Sequence, residues 1–183
     1  SIFQCIVGEF HNKIEKIYLT EQGGPLQNID SSQLHKVTKE ELLTHSTSFI
    51  DEKSRIDSAS MMRVGFEAIQ AKWLFDLKPN QIEILVHKQA IIEGIVQFED
   101  GGLKTYMALP DMKLPIQFAL TYPERFKTNF PRFNFMEHPQ LDFKESNPVL
   151  TQNIELAFYA LEKGGTSACV LNAVNHVAVD AFL

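Results

Sequence analysis

The chain has 183 residues, 44% of them hydrophobic and 22% charged, which is typical of a folded globular protein and excludes a disordered segment. Its net charge of −6, with scattered lysines and arginines, argues against a nucleic-acid surface. No apolar run is long enough to span a membrane, and Cys5 and Cys169 form no disulfide framework. We therefore predict a cytoplasmic protein with one domain, or one domain and an appendage.

The first part of the chain predicts one strand and several short helical segments. Residues 2–7 favour a helix over a strand, and Lys16–Thr20 reads as a strand that ends at Gln22-Gly23-Gly24-Pro25. The two glycines form either a plain turn or an anion-binding nest. Thr38, three residues before Glu41, predicts a capping box and a helix to about His45. Ser46–Ser54 lacks periodicity and is expected to be a loop, either a lid or a simple connection.

The central helix is predicted to begin at Asp57 and Ser58, which are good N-cap residues, and to end before Pro79. Apolar residues at steps of three and four predict its buried stripe: Met62, Phe66, Ile69 and Trp73. A hydroxyl at a helix N-terminus and a carboxylate at Glu67 suit a phosphate and a metal. An ordinary core helix with a surface glutamate explains the same residues.

Three β-rich segments follow, and with Lys16–Thr20 they predict a sheet of about four strands. They are Gln81–His87, Ala90–Phe98 and Leu103–Ala108, the last two joined by a hairpin turn at residues 99–102.

The last third predicts helices separated by an irregular stretch. Leu114–Thr121 is a short helix, and Phe126–Asn147 is an extended linker with room for one short strand at Leu141–Phe143. Pro148–Lys163 is an amphipathic helix that ends at two glycines. Thr166–Leu183 begins a final helix whose apolar end indicates that it is either cut or covered by a partner.

Local motifs for chemistry are sparse. No glycine-rich dinucleotide loop, Walker loop, GxSxG motif or zinc-ligand spacing occurs, so we predict no cofactor-binding residues within the chain. The six histidines are scattered, and only His45 is retained as a candidate because it precedes the predicted loop. Glu67 and Glu93 are the best carboxylates, although one carboxylate alone is a poor magnesium site.

Three longer stretches resemble one family. They are IDSASMMRVGFEAIQAKWLF at 56–75, QIEILVHKQAIIEGIVQFEDGG at 81–102 and LPDMKLPIQFALTYPERF at 109–126. The chain resembles 1-deoxy-D-xylulose 5-phosphate reductoisomerase over essentially its whole length. This family is NADPH- and metal-dependent, and it converts a phosphorylated sugar in non-mevalonate isoprenoid synthesis.

The resemblance implies an α+β fold with a roughly four-stranded mixed sheet, helices packed on one face, a linker and a helical C-terminal segment. Residues 1–125 would form the central catalytic domain, 126–147 the linker, and 148–183 the truncated start of the C-terminal domain. A homodimer through the sheet at 90–108 is expected. The family's NADPH domain and an Asp-Ser-Glu motif with two metal carboxylates would precede Ser1.

Carried over residue by residue, the resemblance assigns the third metal carboxylate, for Mg²⁺ or Mn²⁺, to Glu67. It assigns a phosphate-binding serine to Ser58 and a lid histidine that contacts substrate to His45. The family's next two phosphate ligands, an Asn-Lys pair, are Arg63 and Val64 here. Arg63 keeps the capacity to bind phosphate, whereas the Val64 side chain has no hydrogen-bond donor.

Other active-site positions are also replaced. The family's Gly-Ser-Gly-Gly-Pro loop is Glu21-Gln22-Gly23-Gly24-Pro25, so Gln22 and Gly23 become the loop's substrate-binding candidates beside an acid that repels phosphate. Glu93 stands where the family has its second active-site histidine, and we assign Glu93 to catalysis together with His45. The late Asn-Glu pair of the family is Asn175-His176.

Two functions follow from this pattern. The chain is either the catalytic portion of a reductoisomerase, inactive by itself, or a non-catalytic relative that serves as a dimeric binding or assembly protein. The replaced phosphate ligands favour the second function, because charge-assisted hydrogen bonds are the strong ones.

Overall fold

The computed structural model describes residues 1–43 and 51–183. The sheet contains β1 (Ile14–Glu21), β2 (Ile82–Val86), β3 (Ile92–Phe98) and β4 (Leu103–Met107). The α-helices are α1 (Ile2–Ile6), α2 (Lys39–Leu43), α3 (Glu52–Ala59), α4 (Met62–Phe75), α5 (Lys113–Thr121), α6 (Thr151–Lys163) and α7 (Ser167–Phe182). Short 3-10 helices lie at Pro25–Asn28, Ser31–Lys36 and Pro79–Gln81. None of the helices described is long and apolar enough to cross a membrane.

The strands form one mixed sheet in the order β2-β1-β3-β4, so the predicted fold class is confirmed. β1 pairs with β2 in parallel and with β3 antiparallel, while β3 and β4 form the predicted hairpin. Along β1, Ile17, Leu19 and Glu21 are buried, and the residues between them are only partly buried. This alternation follows from the two-residue side-chain period of a strand, and it turns one face of β1 towards the core.

The predicted capping box of α2 is confirmed. The Thr38 backbone N–H donates to Glu41 Oε2 at 2.9 Å, and the Glu41 backbone N–H donates to Thr38 Oγ1 at 3.3 Å. The remainder of that helix and most of the predicted loop, residues 44–50, lie outside the described residues. The loop prediction is wrong for 52–54, because α3 already begins at Glu52. Asp51 caps α3 by accepting the Ser54 backbone N–H at 2.9 Å.

The predicted start of the central helix is also wrong. Asp57 and Ser58 lie in the last turn of α3, and α4 starts only at Met62. The break falls at Met61, whose φ of +65° is a left-handed conformation that a continuous helix cannot contain. Ser58 therefore lies near a helix C-terminus, where the macrodipole does not favour an anion.

The buried face of α4 also differs from the predicted stripe. Trp73 is 68% exposed, whereas Val64, Gly65 and Ala68 are buried. The cause is close helix packing, since a Cβ at Gly65 would lie 2.8 Å from the Cβ of Ala157 on α6. Small residues allow α4 and α6 to pack this closely. A pattern of large apolar residues does not predict such a contact.

The linker contains no strand at Leu141–Phe143. Instead, Lys144 forms a single antiparallel bridge with Val86, and the Val86 backbone N–H donates to the Lys144 carbonyl at 2.8 Å. The predicted helices on either side of Gly164 are confirmed as α6 and α7, although α6 begins after residue 148. Gly164 has a φ of +66°, which suits its predicted place at a helix C-terminus.

Candidate functional site

The carboxylate of Glu21, the last residue of β1, lies at the centre of the candidate site. Glu21 is only 3% exposed. Its Oε1 accepts the Gln22 backbone N–H at 2.9 Å and the Ser58 hydroxyl at 3.3 Å. Its Oε2 accepts a charge-assisted hydrogen bond from the Arg63 guanidinium. A backbone amide, a hydroxyl and a guanidinium therefore converge on one buried anion. We call these three donors the anion cradle.

The glycine loop brings the cradle together. Gly23 and Gly24 have φ values of +87° and +53°, conformations that residues with a side chain rarely adopt. A Cβ at Gly23 would lie 2.9 Å from Val86 Cγ1, and one at Gly24 would lie 3.1 Å from the Ala59 Cα. The loop therefore passes directly over the end of α3. That contact places Gln22 beside Ser58.

Arg63 lies between two carboxylates. Besides Glu21, it contacts Glu67 one turn further along α4, with its Nη1 atom 2.5 Å from Glu67 Oε1. Partial burial raises the pKa of Glu67 above its ordinary value; the Arg63 charge opposes this rise, and the Glu21 charge adds to it. This role of Glu21 was not predicted, because its carboxylate was expected only to repel phosphate.

A second polar group ties α3 to α7. Asp57 is buried, and its Oδ1 accepts the Asn175 side-chain N–H at 2.7 Å. Its Oδ2 pairs with the Lys53 ammonium. Asp57 directly precedes Ser58, so this buried network fixes the turn of α3 that carries the cradle hydroxyl. The family resemblance had singled out the Asn175 position. No pattern in the sequence predicted that its partner would be Asp57.

Comparison with known families identifies this fold. A family model described as the 1-deoxy-D-xylulose 5-phosphate reductoisomerase C-terminal domain matches residues 1–75. Another, described as the DXP reductoisomerase C-terminal domain, matches residues 107–183. The chain belongs to the 1-deoxy-D-xylulose 5-phosphate reductoisomerase family. The resemblance found in the sequence is confirmed.

Curated relatives of this family match the whole chain. The reductoisomerases of Phocaeicola vulgatus and Bacteroides thetaiotaomicron are 47% and 46% identical to it over 183 residues. The match covers 100% of this chain but 47% of each relative, so the chain spans about half of their length.

Solved reductoisomerase structures have the same fold as this chain. The Zymomonas mobilis enzyme in complex with NADPH has a TM-score of 0.91 and 34% identity. A second reductoisomerase, in complex with NADPH, fosmidomycin and magnesium, has a TM-score of 0.90 and 32% identity. Each match covers 100% of this chain and 47% of the solved one. NADPH and magnesium are thus ligands of the family, as the sequence analysis expected.

The structure brings most of the predicted site residues together. Ser58, Arg63 and the Gln22 backbone contact the Glu21 carboxylate, and Glu67 joins them through Arg63. Gly23 shapes the loop beside them. Their assigned roles in this reductoisomerase-family chain stay predictions.

Glu93, one of the two residues assigned to catalysis, has no hydrogen bond to the cradle in the described part of the chain. Glu93 lies on β3, where its Oε2 accepts the Ser1 hydroxyl at 2.8 Å. His45 lies outside the described residues.

The residues described do not suit a divalent metal by themselves. They contain no group of three or more His, Cys, Asp or Glu side chains that could hold a metal ion. Glu67, the predicted ligand, forms an ion pair with Arg63, so its carboxylate already has a charged partner. Without further ligands, the described residues therefore do not form a metal site.

Proposed function

We propose that this chain is the catalytic portion of a 1-deoxy-D-xylulose 5-phosphate reductoisomerase. That enzyme converts a phosphorylated sugar to 2-C-methyl-D-erythritol 4-phosphate with NADPH and a divalent metal, in cytoplasmic isoprenoid synthesis. The observation that carries the proposal is that Gln22, Ser58 and Arg63, which are separated in sequence, meet around the Glu21 carboxylate. Glu67 joins them through its ion pair with Arg63. Residues 1–125, 126–147 and 148–183 serve as catalytic domain, linker and C-terminal segment.

In this proposal the cradle is the place where the sugar phosphate would bind. Ser58, Arg63 and the Gln22-Gly23 loop contact the substrate, Glu67 contributes to the metal, and His45 and Glu93 act at the reacting end. The donors of the cradle are of the kinds that bind phosphate oxygens in proteins, namely a backbone amide, a hydroxyl and a guanidinium.

We further propose that the chain does not catalyse the reaction alone. Two features of the site support this. The Arg63 charge is already balanced by Glu21 and Glu67. Val64, at the position of a family phosphate ligand, is fully buried and has no donor to offer.

The first test is a turnover assay. We expect the purified chain, with NADPH, 1-deoxy-D-xylulose 5-phosphate and either Mg²⁺ or Mn²⁺, to oxidise NADPH no faster than a reaction without protein. The Phocaeicola vulgatus reductoisomerase in the same assay is the positive control, and circular dichroism checks that the chain is folded. Steady oxidation above the background would contradict the proposed inactivity of the chain alone.

A second candidate function is a non-catalytic, dimeric binding or assembly protein. The internal pairing of Arg63 with Glu21 favours it, since a site that neutralises its own cation has less attraction left for an anionic substrate. The hairpin of β3 and β4 offers a dimer surface, because β4 lies at one edge of the sheet and has β3 on one side.

The dimer is tested by light scattering. We expect a mass of about twice the 20.8 kDa chain at micromolar concentration. Leu103 on β4 is 60% exposed, and Leu103→Lys should shift the mass towards the monomer. Leu74→Lys is the matched control, because Leu74 is 73% exposed on α4, away from the sheet edge. A monomeric parent chain, or equal effects of the two variants, would argue against this surface.

A further inference from the structure

The three donors of the cradle are of the kinds that bind an oxyanion, and here they bind a carboxylate of the protein itself. The backbone amide, hydroxyl and guanidinium come from the loop after β1, the end of α3 and the start of α4. Each of the three donates to the same carboxylate. Because three separate elements hold these donors in place, the donors need little rearrangement to bind an anion. Such preorganisation favours tight binding.

The anion in this cradle is a side chain of the protein itself. The Glu21 side chain is 1% exposed, whereas that of Arg63 is 44% exposed. The carboxylate is therefore buried, whereas the guanidinium that pairs with it is partly exposed to solvent. We propose that Glu21 is a built-in anion that occupies the cradle and competes with phosphate groups for its donors. Glu21 is thus the residue that sets how tightly this site binds a phosphate group.

The local charges lead to the same conclusion. Arg63 contributes one positive charge, and Glu21 and Glu67 contribute two negative charges at contact distance. Their sum is one negative charge. A phosphate that entered beside Glu21 would meet like charge in a partly desolvated site, and such contacts are strongly unfavourable. Removing Glu21 vacates the space and leaves Arg63 and Glu67, whose charges sum to zero.

This inference goes beyond the proposed function, because it concerns the occupant of the cradle and not a reaction. It is tested with inorganic phosphate alone, so its outcome does not depend on turnover, NADPH or a metal. A failure of the turnover proposal and a failure of this one are therefore separate results.

The experiment compares inorganic phosphate binding by the parent chain, Glu21→Gly and Glu21→Gln, measured by calorimetry. Glu21→Gly should bind phosphate more than about tenfold more tightly than the parent, because the competing carboxylate is gone. Glu21→Gln, which removes the charge but keeps the side chain, should gain less. Glu83→Gln is the matched control: it removes one negative charge from a partly exposed strand residue that pairs with Lys16. It should bind as the parent does.

A further variant locates the gained site. Adding Arg63→Met to Glu21→Gly should abolish the gain, since the guanidinium is the charged donor of the cradle. A folded Glu21→Gly that binds phosphate no more tightly than the parent would overturn the proposal. An equal gain in Glu83→Gln would also overturn it, because net charge alone would then account for the effect. If Glu21→Gly does not fold, Glu21→Gln decides, and affinity equal to that of Glu83→Gln overturns the proposal.

Discussion

Arg63→Leu is expected to lower the free energy of unfolding by about 3 kcal/mol, which is the usual scale when a buried charge loses its charged partner. The variant leaves the carboxylate of Glu21 buried with only the Gln22 amide and the Ser58 hydroxyl as donors. Neither of these carries a positive charge. Urea unfolding followed by circular dichroism measures the effect, with unchanged m-values required so that the midpoints can be compared.

A second substitution separates loss of the ion pair from loss of packing. Glu21→Gln in the Arg63→Leu background removes the uncompensated charge, so the double variant should recover a large part of the lost stability. Arg132→Leu is the matched control, because Arg132 is exposed and donates hydrogen bonds to its near neighbours Thr128 and Phe130. It should change stability by less than about 1 kcal/mol. Equal losses in the two arginine variants would mean that Glu21 does not depend on Arg63.

Asn175→Val is expected to cost about 2 kcal/mol of stability. Valine fills part of the volume but cannot donate a hydrogen bond, so one oxygen of the buried Asp57 loses its partner at the junction of α3 and α7. Because Asp57 precedes Ser58, the same change should loosen the helix turn that carries the cradle hydroxyl. Thermal unfolding measures the first effect, and hydrogen exchange of the α3 amides measures the second.

The same helix supplies the control for this prediction. Asn172→Val makes the identical chemical change at an exposed position of α7, so it should leave the unfolding midpoint nearly unchanged. Similar destabilisation by both substitutions would show that valine in α7 is costly by itself. The hydrogen bond to Asp57 would then not explain the loss.

Much of the fold could be predicted because it depends on local periodicity. The β-branched runs at 82–86 and 92–98 predicted strands β2 and β3, and the turn residues at 99–102 predicted the hairpin. The Thr38-Glu41 pair and Gly164 marked helix ends through hydrogen bonds or backbone angles that involve only near neighbours. The family resemblance rested on longer stretches and was also correct.

Predictions failed where distant residues decide the local structure. Asp57 and Ser58 are residue types that often cap helices. In the fold, however, Asp51 caps α3, and the left-handed conformation of Met61 separates α3 from α4. Trp73 was predicted to be buried because it is large and apolar. The face of α4 that contacts α6 instead contains the small residue Gly65. A helical pattern describes one helix and contains no information about how near its neighbour lies.

The sequence by itself determined the candidate residues at the site, since Gln22, Ser58, Arg63 and Glu67 were identified from motif positions. Only the tertiary structure decided what they do to one another. It places the carboxylate of Glu21 among these donors, because β1 ends where the glycine loop crosses α3 and where α4 begins. Hydrogen bonds and ion pairs act over a few ångströms in space, and residues 21, 58 and 63 come within that range only when the sheet and both helices are folded.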